Sequence, residues 1–329
     1  MAKKEINKSP LKAHDLVLFK TEETPKTKEV DTYSFEKVNQ EDKIKLTTDF
    51  RPFSNHIQYS IFIDNQSLAP ISEVKIKIKF PEFFTFLRYY PSTINTPNIK
   101  IERNVKQINF EFDELNENSN KQIHFHFTPT SLDNTGEIRT IITYVNNKDT
   151  VRVLDSRPTE IKVDGVIIEP KVVPSSFIRE FFQQPGIKKA IKSIGIGTVH
   201  PIDHELIFEI LAHLFYIRNF QLVAKDPQKK ILWFFGTESL IREDVLVIGQ
   251  IISNKIEFIA SSLNHYLLIS LLTQISIDFK DLLISNEIIT SNDDIYDLEC
   301  RNCGSIFPYF PRKNESVVCK NCNYEQVIW

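Results

Sequence analysis

The sequence predicts a multi-domain chain: an all-β immunoglobulin-like sandwich, then an α+β platform with helices on an antiparallel sheet, then a small cysteine-bearing ribbon. Three observations carry this. Apolar and polar residues alternate along much of the first half. After Pro170, helical spacing appears between further strand-like runs. All four cysteines stand in two Cys-x-x-Cys pairs within the last 30 residues.

The chain has 329 residues, room for two or three folded units at ~150 residues each. Hydrophobic residues make up 41% and charged residues 25%, which excludes a wholly disordered chain, a collagen-like fibre and a coiled-coil rod. The 40 Lys and Arg against 43 Asp and Glu leave a net charge of −3. No global positive field therefore draws nucleic acid or an anionic membrane. No apolar run approaches the ~18 residues that span a bilayer. Charge, not an apolar stretch, follows Met1-Ala2-Lys3-Lys4-Glu5, and cysteine is not spread as in a disulfide-stapled secreted protein. A cytoplasmic protein is expected.

Residues 1–40 are rich in Lys, Glu, Thr and Pro and read as a flexible tail with one apolar patch, Leu16-Val17-Leu18-Phe19. Period-two alternation marks 41–172 as the sandwich. Its strands include His56–Ile63, Val74–Phe80, Ile108–Phe112, Ile123–Phe127 and Ile138–Val145. His124 and His126 alternate with Phe125 and Phe127, which places both on a solvent face. No cysteine pair is available to bridge the sheets, so the core must hold the sandwich alone.

The platform is expected over 173–288. Ser175–Phe182 reads as a short serine-capped helix stopped by Pro185-Gly186. A strand without assigned bounds comes next. Pro201–Arg218 carries Ile207, Ile210, Leu211, Leu214 and Phe215 at helical spacing. Strands follow at Phe220–Ala224, Ile231–Gly236, Val245–Ile252 and Ile256–Ala260, and a closing helix at Asn264–Leu283. Trp233 sits in an apolar run of central-strand type and reads as core. A polar linker is expected over 289–297 and the ribbon over 298–329.

The ribbon bears the sharpest chemical signal. Cys300 and Cys303 form one pair, Cys319 and Cys322 the other, with 15 residues between Cys303 and Cys319. Two such knuckles converge four thiolates on one tetrahedral Zn2+, a closed structural zinc ribbon with no position open to substrate. The residue after each knuckle needs positive φ, and Gly304 and Asn323 are types that tolerate it. A redox dithiol pair would want a thioredoxin-like βαβ setting, which is missing.

Other patterns carry no catalytic chemistry. In His200-Pro201-Ile202-Asp203-His204 the proline separates the histidines, and Asp203 reads as a helix-start carboxylate. Gly195-Ile196-Gly197 is too short for a phosphate loop. The acidic pairs Glu243-Asp244 and Asp293-Asp294 sit at element boundaries and read as solvated turns.

The order of sandwich and platform resembles the appendage (ear) domains of vesicle-coat subunits, those of clathrin adaptors and of coatomer gamma. The resemblance spans about 42–285. It is carried by Phe177-Ile178-Arg179-Glu180-Phe181-Phe182, by His200-Pro201-Ile202-Asp203, and by Asp244-Val245-Leu246-Val247 with Phe258-Ile259-Ala260-Ser261-Ser262. Two features depart from those ears: no helical trunk precedes, and a zinc ribbon is added. The position of the clathrin-adaptor tryptophan is held by Phe181 or Phe182. Chain economy and Ile, Lys and Asn richness fit a prokaryotic, archaeal source.

The resemblance implies a non-catalytic adaptor that reads short peptide motifs or partner proteins, in membrane-traffic-type assemblies. It places the peptide site at Phe177, Phe181 and Phe182, with Arg179 or Lys188 as charge partner. The competing reading of the phenylalanines is helix-to-sheet packing. The ribbon would be a second contact. The alternative is a nucleic-acid-associated factor, in which Arg301, Arg312, Lys313 and Lys320 interleave with Phe307, Tyr309, Phe310 and Tyr324.

Overall fold

The computed structural model describes residues 43–91, 98–102, 105–197, 202–252 and 255–328. The tail with Leu16–Phe19, and His200 and Pro201, lie outside them.

Among the described residues ten strands build the sandwich: β1 Ile44–Phe53, β2 His56–Asn65, β3 Ile71–Pro81, β4 Phe84–Tyr90, β5 Asn98–Glu102, β6 Val105–Leu115, β7 Ser119–Pro129, β8 Asn134–Val145, β9 Val151–Asp155 and β10 Thr159–Val163. One sheet has the order β1-β2-β7-β4; the other runs β10-β8-β3-β6-β5, with β9 also on the β8 edge. With the β5–β6 hairpin set aside, this is the ABED-against-GFC order of an immunoglobulin-like sandwich. Strand β3 shows why it forms. Val74, Ile76, Ile78 and Phe80 are buried, while Lys75, Lys77 and Lys79 point away from the core. In place of a disulfide, a buried polar tie crosses the core: the Tyr59 and Thr140 hydroxyls are 2.8 Å apart. Burial raises the Tyr59 pKa, so the phenol stays neutral.

The platform sheet has the order β11-β14-β15-β16-β12-β17, and β13 lies beside β11 along the free edge of β14. Its strands are β11 Ile168–Pro170, β12 Lys188–Ile196, β13 Gln221–Asp226, β14 Ile231–Glu238, β15 Asp244–Ile252, β16 Lys255–Ser262 and β17 Ile295–Asp297. Helices α2 (His204–Ile217) and α3 (His265–Ser285) cover one face; α1 (Phe177–Gln183) covers part of the other. Asp203 caps α2 by accepting from the Glu205 and Leu206 amides. Asn264 does the same for α3 through the Tyr266 and Leu267 amides. The serine cap of α1 is absent. Ser176 is itself helical and makes no side-chain cap bond, because the Pro174, Ser175 and Ser176 carbonyls already take the first amides.

Two boundaries differ from expectation. β11 falls inside 41–172 yet pairs with β14 of the platform. The expected linker 289–297 is structured: Ile289 is buried in the platform core, and β17 pairs with β12. Shortness hid both, since β11 and β17 have three residues each, too few to show alternation. Helix α3 also joins the two larger units. Ile269 enters the sandwich core while Leu268, Leu271 and Leu272 fill the platform core. Gln274 accepts the Val166 amide at 2.8 Å. In the ribbon, β18 (Ser316–Val318) pairs with β19 (Glu325–Val327).

Candidate functional site

The two knuckles fold alike because their sequences do. Cys300 O accepts the Gly304 amide and Cys319 O accepts the Asn323 amide, both at 2.8 Å. The Cys300 and Cys319 amides then donate to Ser305 O and Tyr324 O, both at 2.9 Å. The turns need a left-handed residue at the fifth position, and Gly304 (φ 75°) and Asn323 (φ 58°) supply it.

These turns bring Cys300, Cys303, Cys319 and Cys322 together, with all four Sγ atoms within 4.8 Å of one another. Cys300 and Cys322 approach to 3.6 Å, Cys303 and Cys319 to 3.5 Å. A disulfide would need about 2.05 Å. A tetrahedron with 2.3 Å metal–sulfur bonds has edges of about 3.8 Å, so the spacing fits one ion. The thiols differ in acidity. Burial pushes Cys300 up to about 12. Burial opposes ionisation of Cys303 too, but hydrogen bonds from Ser305 and Asn321 outweigh it and bring Cys303 down to about 6. Crowded thiolates repel, so full ionisation of the set calls for a cation among them.

The centre stands at a junction of all three units. On the sandwich, Arg88 lies against the first knuckle: a Cβ on Gly304 would sit 2.0 Å from its guanidinium. Arg88 is 6% exposed and 3.8 Å from the Glu299 carboxylate. Its Nη2 donates to His56 Nε2 at 3.1 Å. A guanidinium only donates, so His56 Nε2 accepts and the proton resides on Nδ1. Nδ1 then donates to Asn55 Oδ1 at 2.8 Å, and Asn55 Nδ2 donates to Glu299 Oε1 at 2.7 Å. The loop closes from ribbon to sandwich and back. His126 Nδ1 is 3.0 Å from His56 Nε2. His126 is thus not on a solvent face as expected: the junction buries it. Burial first, then Arg88, lowers the His56 pKa to about 2 and that of His126 to about 3, so both rings are neutral.

The platform meets the ribbon at the buried Lys255, and a second lysine pair lies beside the ribbon's start. Lys255 donates to Phe307 O at 3.1 Å and pairs with Glu257 at 2.5 Å. Lys192 pairs with Asp297 at 2.9 Å. Gly195 is no phosphate loop: the Phe310 ring lies so close that a Cβ would meet it at 2.1 Å. The sequence carried that signal only as a glycine inside a strand.

The expected peptide site is only partly assembled. Phe181 is 2% exposed and packs edge-on to Phe235 at 5.3 Å, so it is core and offers no contact surface. Phe177 is half-buried against the same ring at 5.5 Å. Phe182 is 40% exposed and Arg179 is exposed beside it. Lys188 lies on the opposite side of β12 from this face. Ala190 belongs to the core under α2 and α3 and Ile191 to the cluster under α1, so alternation groups Lys188 with Ala190 and Lys189 with Ile191. Trp233 is half-buried on the α1 face, in one cluster with Ile231 and Ile191, and β15 and β16 lie between it and Ile191. Strand parity, not composition, distinguishes Lys189 from Lys188.

No family model and no curated protein matches the chain. Among solved structures, an uncharacterised Nocardia farcinica protein with an immunoglobulin-like fold is 10% identical over 36% of this chain and 97% of its own, with a TM-score of 0.27. The major pilin subunit BcpA of Bacillus cereus is 11% identical over 48% of this chain and 50% of its own (TM-score 0.26). Spo0M, a sporulation control protein of Bacillus subtilis, is 10% identical over 67% and 79% (TM-score 0.21). TM-scores this low carry no argument; the sandwich assignment rests on strand order. Among the described residues no helix is long and apolar enough to cross a membrane. The fold and the site together define an immunoglobulin-like sandwich joined to an α+β platform, with four clustered cysteines able to hold a metal ion.

Proposed function

We propose that the protein is a non-catalytic interaction module whose platform binds short acidic peptide segments of partner proteins, with one structural Zn2+ on Cys300, Cys303, Cys319 and Cys322. The observation that carries this is the incomplete cover of one platform face. Helix α1 spans only Phe177–Gln183, and beyond it Trp233, Ile231 and Ile191 remain half-buried. Phe182 and Arg179 of α1 are exposed, as is Lys189 on the same face of β12 as Ile191. Among the described residues neither Arg179 nor Lys189 has an ion-pair partner. An extended peptide with an aromatic anchor and flanking carboxylates complements such a surface.

Zinc suits four sulfur donors, two of them on buried cysteines, better than the hard cations, which take oxygen. The same ion bears on the partner. The ribbon, 298–329, has four Lys and Arg against three Glu. A zinc tetrathiolate adds a charge of −2, so the loaded ribbon is net negative. That favours a protein partner over nucleic acid, which needs cationic surplus.

Fluorescence anisotropy against a set of acidic, aromatic-bearing peptides tests the reading. Wild type should bind members of the set. Charge reversal at Arg179 and Lys189 should weaken binding about tenfold or more, with an unchanged melting temperature. Binding that ignores both reversals, or no binding at low salt, rejects the site.

A further inference from the structure

We propose that the ribbon is a metal-dependent clamp that fixes the sandwich against the platform. This rests on the zinc reading of the four-sulfur site above. The clamp grips the β1–β2 turn. At Ser54 the chain turns with φ 53°, and Ser54 O accepts from His265 Nε2, at the start of α3, at 2.7 Å. The next residue, Asn55, donates to Glu299 of the ribbon, and His56 joins Arg88 in the closed loop described above. One turn of the sandwich is thus held from one side by the platform and from the other by the ribbon.

The ribbon in turn is anchored on the platform. The Leu298 amide donates to Ser193 O at 2.9 Å, continuing the β17–β12 pairing, and Phe307 and Phe310 sit on Lys255 and Gly195. The chain from Ile295 to Phe310 therefore touches both larger units. What stiffens it is the metal site. The buried ribbon core is Leu298, Cys300, Phe307, Val317, Cys319 and Ile328, and two of these six are ligands. A unit this small does not hold its shape by apolar burial alone, so loss of the ion loosens Gly304, Glu299 and Phe307 together. A cleft of about 300 Å³ runs along the seam, lined by Arg88, Lys192, Asp297 and Glu299. Arg88 and Lys192 already face carboxylates there, so it is the seam of the clamp rather than a vacant anion site.

Hydrogen exchange of the full-length protein, with zinc content measured in parallel, tests the clamp. Chelation should speed exchange about tenfold or more in peptides covering 53–57, 86–89 and 192–196. Val74–Phe80 and Val245–Val247, central in their sheets, should keep their rates. Arg88→Ala and, as a milder variant, Asn55→Ala should retain wild-type zinc yet speed exchange at 53–57 and 298–307. Unchanged junction rates after zinc removal, or in both variants, overturn the clamp. So does equal loss of protection at the sheet centres, which would make the ion a cofactor of the whole fold. A protein that takes up no zinc removes the four-sulfur reading and the clamp with it. A zinc-bound protein with an unresponsive junction removes the clamp alone.

Discussion

Gly304 shows how much one residue carries here. It closes the first knuckle with a left-handed backbone and, with no side chain, lets the Arg88 guanidinium lie on it. An alanine there meets both constraints at once, strained backbone and a collision. Gly304→Ala should cost about 1–3 kcal/mol of stability, read as a fall in the urea midpoint, and should weaken metal retention against a chelator. Asn323 has the same backbone without the neighbour, so Asn323→Gly should be close to neutral in the same assay. The residue type at both positions was legible in the sequence. Arg88 was not, because it stands more than 200 positions away on a sandwich strand.

Helix α1 is the element where two readings of one pattern compete. Three phenylalanines in Phe177–Phe182 fit either a contact surface or a packing face. The helix is short and must adhere to the sheet through something. Phe181 does this, with Phe177 sharing the Phe235 ring. Phe181→Ala should therefore cost about 3–5 kcal/mol in chemical denaturation. Phe182→Ala, at an exposed position, should change stability by less than about 0.5 kcal/mol while reducing peptide affinity. Equal losses from the two would contradict this division. Periodicity revealed that the helix exists and where it stops. Which ring faces inward depended on the sheet beneath it.

The whole molecule has a pH dependence written into its junction. His56 and His126 are 2% and 5% exposed, and burial beside Arg88 keeps both neutral. Their folded pKa values, about 2 and about 3, lie far below the ordinary 6.5. The unfolded chain thus binds protons below pH ~6.5 that the native state refuses, and stability falls as pH drops. Each histidine contributes a slope of up to about 1.4 kcal/mol per pH unit below that point. Urea unfolding at pH 7.5 and 5.5 should show a lower midpoint at 5.5, and His126→Gln should flatten the difference. An equal pH effect in the variant would place its origin elsewhere. In sequence His124 and His126 read as solvent-facing, since alternation with Phe125 and Phe127 reports only that they leave the sandwich core. His126 is instead buried against His56 and Phe53, which no pattern within its own strand reports.

The sequence by itself determined what local chemistry fixes: the alternation that builds two β-sheets, the helical spacing of α2 and α3, the Asp203 cap, and the four ligands with their positive-φ neighbours. Each of these is set by residues within a few positions of one another, or by a periodic pattern. Only the tertiary structure decided that Ile295–Asp297 is a strand of the platform sheet, that Lys189 rather than Lys188 shares the α1 face, and that the ribbon sits between the two larger units. Those facts depend on contacts between residues far apart in the chain, such as Ile194 with Asp297 and Asn55 with Glu299. Such contacts leave no period in the chain, only isolated glycines and buried charges whose partners appear once the units are packed.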